Sequence, residues 1–155
     1  MNGKRVLLLG ATGLTGQMSL ELLLADARVA SVTVLVRRPL GKQHPKLREQ
    51  LFDQDFAAQA AAFAVDVVLC CLGTTLKKAG SRAAFRRVDF DLCLDAAKLA
   101  KQAGVTTFAI ISAVNADSHG LSFYARTKGE LEEAIIGLGL PHLILAKPSL
   151  LLGER

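Results

Sequence analysis

Three groups of residues in this chain have the types and spacing to do chemistry. The first is the heptamer Gly10-Ala11-Thr12-Gly13-Leu14-Thr15-Gly16, a G-x-x-G-x-x-G run. Glycines let backbone approach a phosphate closely, and a helix that begins inside the run aims its first N–H groups at the anion. The pattern therefore reads as a cradle for a dinucleotide pyrophosphate, with Gly10, Thr12, Gly13, Leu14, Thr15 and Gly16 as binding residues. The second group is Tyr124 and Lys128, a Y-x-x-x-K step. Residues four apart on a helix share a face, and a phenol, with an ordinary pKa near ~10, moves protons at neutral pH only when a neighbouring cation stabilises its phenolate. The third is Arg37-Arg38, about 20 residues past the glycine turn, where an NAD-binding fold carries an acid for the ribose 2′-hydroxyl. No acid stands there; a guanidinium pair suits a 2′-phosphate, which favours NADP(H) over NAD(H). The plain alternative is two solvated arginines at the start of a loop.

A glycine run means little without the elements that position it. Here the apolar run Val6-Leu7-Leu8-Leu9 precedes it and a helical stretch follows, with Leu14, Met18, Leu22 and Ala25 as its expected apolar face. Along the whole chain apolar runs alternate with helical patterns, the mark of a parallel sheet with crossover helices. Strands are expected over residues 4–9, 31–36, 49–52, 65–72, 105–112 and 142–146, and helices over 14–25, 56–63, 82–103 and 122–138. The helix over 82–103 is the clearest, with Phe85, Val88, Leu92, Ala96, Leu99 and Ala103 on one face and Gly104 to stop it. Residues 39–47, with Pro39, Gly41 and Pro45, read as a mobile loop. The fold class is α/β: one doubly wound, mostly parallel Rossmann-type sheet in the order 3-2-1-4-5-6.

Each chemically interesting cluster falls just after a strand, the edge along which open parallel sheets bind ligands. Asp53 could accept from an adenine amino group, while Asp55 reads equally as a helix cap. Leu72-Gly73-Thr74-Thr75 would pass close to a cofactor ribose. Ser112 ends the fifth strand, and Pro148 follows the sixth, where residues 147–149 would run near a nicotinamide. Lys77, Lys78, Arg82, Arg86 and Arg87 read as a solvated face, and His44, His119 and His142 as non-catalytic. The three cysteines have neither metal-ligand spacing nor a disulfide framework, so no metal is expected and a reducing, cytoplasmic setting fits. The net charge of +5 is scattered, and with one tyrosine and no tryptophan for stacking, nucleic-acid binding is the poorer explanation. No apolar run approaches the ~18 residues of a membrane span.

Residues 8–16 (LLGATGLTG), 35–40 (LVRRPL), 72–75 (LGTT), 112–132 (SAVNADSHGLSFYARTKGELE) and 147–155 (KPSLLLGER) together resemble an atypical short-chain dehydrogenase/reductase of the Tat-interacting-protein-like, NAD(P)-binding group. The resemblance implies a Rossmann-type fold, NADP(H) binding, Tyr124 as proton carrier, and Lys128 as the residue that lowers the tyrosine pKa and holds the nicotinamide ribose. Two departures matter. Many relatives end the fifth strand with two serines, the second of which bonds the substrate oxygen; here the pair is Ser112-Ala113, leaving Ser112 as the candidate and Thr74, Thr75 or Ser118 as substitutes. The chain also ends at Gly153-Glu154-Arg155, where relatives continue into a segment that covers the substrate pocket, so a single domain lacking that segment is expected. The implied activity is hydride transfer between NADP(H) and a carbonyl or alcohol of unknown identity. The alternative is an NADP(H) sensor with little turnover, and a sugar-nucleotide epimerase would need a larger pocket than this length holds.

Arg37→Ala should weaken NADPH binding about ten- to a hundredfold, the ~1.5–3 kcal/mol of one charge-assisted contact, and leave NADH unchanged in a fluorescence titration. Equal affinities of the unsubstituted protein for the two cofactors would remove the assignment.

Overall fold

The computed structural model describes residues 2–153. Six strands, β1 (Lys4–Leu9), β2 (Val29–Val36), β3 (Leu47–Leu51), β4 (Val67–Cys70), β5 (Thr107–Ile111) and β6 (His142–Ala146), form one sheet in the order β3-β2-β1-β4-β5-β6. The order is the expected one, and every pairing is parallel rather than most of them. The crossovers carry α1 (Leu14–Ala25), a 3-10 segment (Ala57–Phe63), α2 (Leu76–Ala79), α3 (Arg82–Arg86), α4 (Cys93–Gln102) and α5 (Phe123–Ile136). The strand order reverses between β1 and β4, and the loops leaving those two strands diverge to open a crevice.

Strand faces divide the apolar residues into two cores. On one side Val6, Leu8, Val32 and Val34 pack with Leu20 and Leu24 of α1. On the other Leu7, Leu9, Val68, Phe108 and Ile110 pack with α4, α5 and the 3-10 segment. The central strands are covered on both sides, which is why they read as continuous apolar runs instead of alternating ones.

Helix α1 corrects one expectation. Met18 and Leu22 are exposed, 61% and 72% accessible, and the buried residues are Gly16, Leu20 and Leu24. The inward face is chosen by the glycine turn. Gly10 has φ +78, and a side chain there would meet the Cys71 carbonyl oxygen at 2.5 Å; a Cβ on Gly16 would overlap the Gly10 carbonyl outright. Gly16 must therefore lie on the turn, and the residues four and eight positions on follow it inward.

The single helix expected over 82–103 is interrupted. It starts at the Ser81 cap, whose Oγ accepts the Ala84 N–H at 3.1 Å, but Arg87–Leu92 form a π-turn between α3 and α4. The extra residue rotates the buried stripe to Phe85, Asp89, Leu92, Cys93, Ala96, Ala97 and Ala100, leaving Val88 and Leu99 half-buried and Ala103 exposed. The stretch expected as a helix over 56–63 is 3-10 with a kink at Gln59, pinned by Phe56, which stacks on Phe52 at 4.5 Å and meets Phe63 edge-on at 5.8 Å. Residues 39–47 are tied down by the Leu40 N–H on Glu49 (2.9 Å) and by the Lys42–Glu21 ion pair (2.7 Å).

The fold requires glycine at position 16 whatever binds the turn. Gly16→Ala should lower the midpoint of thermal unfolding and cost more than about 2 kcal/mol, the scale of overpacking against backbone that cannot move. A stability loss under about 0.5 kcal/mol would show that α1 shifts freely on the turn.

Candidate functional site

The crevice at the β1/β4 divergence is a groove with two connected halves. One, of about 500 Å³, is lined by Gly10, Thr12 and Gly13 after β1, by Leu35, Val36 and Arg37 at the end of β2, by Phe52 and Gln54 after β3, and by residues 71–74 and Lys78. The other, of about 220 Å³, is lined by Thr12 to Thr15, residues 71–75, Lys78, Asp89, Ser112, Tyr124, Lys128 and Leu151. The halves meet over the two turns that leave β1 and β4, and among the described residues Lys78 is the one charged residue common to both walls.

The glycine turn ends in an open helix N-terminus. Gly13 caps α1 with no side-chain hydrogen bond, and its φ of −77 and ψ of 171 suit any residue. A Cβ there would meet nothing closer than the Gly10 carbonyl oxygen at 3.6 Å. The fold thus explains Gly10 and Gly16 but not Gly13, whose bare backbone faces the groove. A phosphate group fits this cradle: it needs the close approach that Gly13 permits and the unsatisfied N–H groups of the first turn.

Tyr124 and Lys128 lie on α5, started by the Ser122 cap, whose Oγ accepts the Ala125 N–H at 3.0 Å. Both face the smaller half of the groove, with Lys128 Nζ 6.0 Å from the Tyr124 ring centre. Phe85, fully buried, packs on Tyr124 with ring centres 5.8 Å apart and fixes its direction. Lys128 is 4% exposed, and its Nζ is 3.0 Å from Oδ1 of Asp89, itself 1% exposed. Oδ2 of Asp89 accepts the Thr74 N–H at 2.9 Å. Burial is the largest influence on Lys128 and opposes its charge, yet the attractions of Asp89, first among them, and of Cys93 and Tyr124 together lift the amine above its ordinary value. Burial likewise raises Asp89, held back by Lys128 and the Thr74 N–H. Asp89 was not anticipated from the sequence. The signal was there: an acid four residues after Phe85 and three before Leu92, on the core-facing stripe, where a carboxylate needs a cation.

Ser112 is brought to the same cleft, but its hydroxyl donates to Glu132 Oε1 at 2.5 Å, and Glu132 Oε2 pairs with Lys147 at 2.9 Å. Glu132, 9% exposed, is a second buried acid that sequence reasoning missed. Ala113 is buried and offers no hydroxyl.

Four expected binding residues stand elsewhere. Gly16 is buried beneath the turn, not on the groove wall. Arg38 is exposed beside Arg37 and lines neither half, so one arginine rather than a fork reaches the groove. Asp53 is exposed outside it; the chain twists at Gln54, φ 57, and puts Gln54 in the wall instead. Pro148 lines neither half, its carbonyl accepting the Val114 N–H at 3.1 Å, and the residue that reaches the cleft from this segment is Leu151. Glu154 and Arg155 of the last motif lie outside the described residues. Asp55 caps the 3-10 segment, accepting the Ala57 N–H at 3.0 Å. Of the basic cluster, Arg86 pairs with Glu130 at 2.7 Å and Arg87 with Asp95 at 3.7 Å, whereas Lys78 joins the groove. Among the described residues no group of three or more His, Cys, Asp or Glu could hold a metal, and no helix is long and apolar enough to cross a membrane. Cys71, on the groove wall, has its thiol pushed up to about 11 by burial.

A family model described as NAD(P)H-binding matches residues 10–154. The chain belongs to that family. It is 36% identical over 155 residues to Protein FMP52, mitochondrial, of Meyerozyma guilliermondii, covering 97% of this chain and 66% of that protein. It is also 36% identical over 160 residues to Protein HTATIP2 of Rattus norvegicus, covering all of this chain and 66% of that one. The resemblance to the Tat-interacting-protein group is thereby borne out. Among solved structures, the Bordetella bronchiseptica enzyme WbmH in complex with NAD+ superposes with a TM-score of 0.79 at 18% identity, over 95% of this chain and 56% of that one. MoeE5 in complex with UDP-glucose and NAD gives 0.74 at 20% identity, over 91% and 52%. The chain spans about two thirds of the curated relatives and about half of these structures. The family members corroborate a Rossmann-like NAD-binding fold. They also overturn the cytoplasmic expectation, since FMP52 proteins of Meyerozyma guilliermondii and Candida albicans are named mitochondrial. Three free thiols register a reducing milieu and do not choose among the compartments that provide one.

The open space at Gly13 can be tested directly. Gly13→Val should fold with a thermal midpoint within a few degrees of the unsubstituted protein and lose dinucleotide binding by calorimetry, because its branches would fill the bare backbone. Unchanged affinity in a folded variant would mean that a pyrophosphate is held elsewhere.

Proposed function

We propose that this chain is the cofactor-binding and catalytic part of an NADP(H)-dependent oxidoreductase acting on a carbonyl or alcohol. The observation that carries the reading is the placement of Tyr124 and the Asp89-paired Lys128 in one cleft, continuous with the glycine turn through the shared wall at residues 71–74. The bound nicotinamide would supply or accept the hydride. Gly13 and the first turn of α1 would take the pyrophosphate, and Arg37 the 2′-phosphate, which supports NADP(H) as the preferred form. Lys128 would hold the ribose hydroxyls with the N–H groups that Asp89 does not use. Tyr124, held by Phe85, would give its phenol proton to the oxygen of a reduced carbonyl or take it from an alcohol.

The substrate oxygen needs a second donor. Ser112 is the nearest candidate by position, and its proton is committed to Glu132, so it acts on a substrate only by exchanging that bond. This engagement, with Ala113 beside it, favours a second reading: an NADP(H)-binding sensor that turns over slowly or not at all.

Kinetics separate the two. With NADPH and a panel of aldehydes, ketones and quinones, an enzyme should lose about 10²–10⁴-fold in turnover on Tyr124→Phe with little change in cofactor affinity. Lys128→Ala should damage both. In a sensor Lys128→Ala weakens NADPH binding and Tyr124→Phe changes nothing. Turnover that survives Tyr124→Phe within a factor of about three rejects the proton-transfer role.

A further inference from the structure

The oxidoreductase reading uses Lys128 and leaves Asp89 without a task, although Asp89 is the most deeply buried charged residue in the described structure. Burying a carboxylate and an ammonium together costs several kcal/mol per ion before their attraction offsets it, and an apolar pair of the same volume is often as stable. Asp89 is therefore poorly explained as a stabilising contact. Its two oxygens point elsewhere: Oδ1 to Lys128 Nζ at 3.0 Å, and Oδ2 to the N–H of Thr74 at 2.9 Å. Thr74 belongs to the turn common to both halves of the groove. Asp89 stands on the buried stripe, four residues after Phe85 and three before Leu92, and reaches both partners from within the π-turn between α3 and α4.

We propose that Asp89 is a positioning residue that keeps Lys128 protonated and aimed into the cleft, and that through Thr74 it ties this cation to the turn beneath the cofactor. The inference rests on the groove being a nicotinamide dinucleotide site. Among the described residues no second free carboxylate stands near Lys128 to take over. Tyr124 faces it from one turn earlier on α5, and Glu132, one turn later, is occupied by Ser112 and Lys147. Cys93 on α4 is buried beside Cys70, which with burial drives its thiol well up, and Cys71 after β4 is pushed to about 11, so both stay neutral near pH 7. Lys78 on α2 adds positive charge only. Arg86 on α3 is taken by Glu130.

Removing the charge while keeping the shape takes away the largest opposition to burial at Lys128, which lowers the pH at which the ammonium is lost. Two quantities then move in opposite directions. An amine that sheds its proton more easily in the folded than in the unfolded chain makes the fold gain stability as pH rises toward its ordinary titration range. The cofactor site loses its cation over the same range. In Asp89→Asn, NADPH affinity should stay within about threefold of the unsubstituted protein at pH 7 and be at least about tenfold weaker at pH 9.5, while the ligand-free thermal midpoint rises relative to the unsubstituted protein between those values. A residue that only packs would shift both quantities by constant amounts, and such parallel curves overturn the proposal. If Asp89→Asn does not fold, Lys128→Met decides: an unpaired buried Asp89 must regain stability as pH falls and it binds a proton, and a pH-independent loss overturns the pairing. If the unsubstituted protein binds no dinucleotide, the proposed function falls; the ligand-free stability curves then still support Asp89 by diverging with pH or overturn it by running parallel.

Discussion

The buried pair of Lys128 and Asp89 is the constraint on which the arrangement of the groove depends. A lone ammonium in that position would be stripped of water with nothing in return, and a lone carboxylate would protonate. Together they are tolerated, and each fixes something further. Asp89 holds the turn after β4 through Thr74, and Lys128 holds its place beside Tyr124. Three chain segments far apart in sequence, residues 72–75, the π-turn and α5, meet at one carboxylate.

The glycine turn shows a comparable division of labour. Gly10 is required by its positive φ and the Cys71 carbonyl, Gly16 by the close approach of α1, and Gly13 by neither. Two glycines build the turn and the third leaves its surface bare. A motif read as a unit is thus two different physical requirements, one internal to the fold and one directed outward.

Much of this was legible in the sequence because it depended on local pattern. Continuous apolar runs separated by helical stretches specify a parallel sheet, and the glycine turn after β1 identifies the strand from which the order counts outward. Tyr124 and Lys128 were readable because four residues on a helix is a fixed geometry. What was not legible depended on tertiary choices. The inward face of α1 could not be taken from its apolar residues, since leucines occupy nearly every side and the Gly16 contact decides. Asp53 and Gln54 differ by one backbone twist after β3 that no composition announces. Ser112 was correctly sent to the end of β5, yet its hydroxyl belongs to Glu132, an acid twenty residues on that only the packing of α5 reveals.

Charge is distributed unevenly along the groove, and this sorts what can occupy each end. In the larger half Arg37 and Lys78 line the wall and, among the described residues, no carboxylate does, so its field is positive over the region where a phosphate-bearing ligand would lie. In the smaller half Lys128 is matched by Asp89 within the wall and Lys147 behind it by Glu132, while Lys78 is shared with the larger half. A matched pair still offers directed N–H groups for hydrogen bonds, but it exerts little net pull on a charged molecule. Under the proposed function, the anionic cofactor is held by charge along the wall of Arg37 and Lys78, while the matched pair beside Tyr124 contributes directed hydrogen bonds more than net charge.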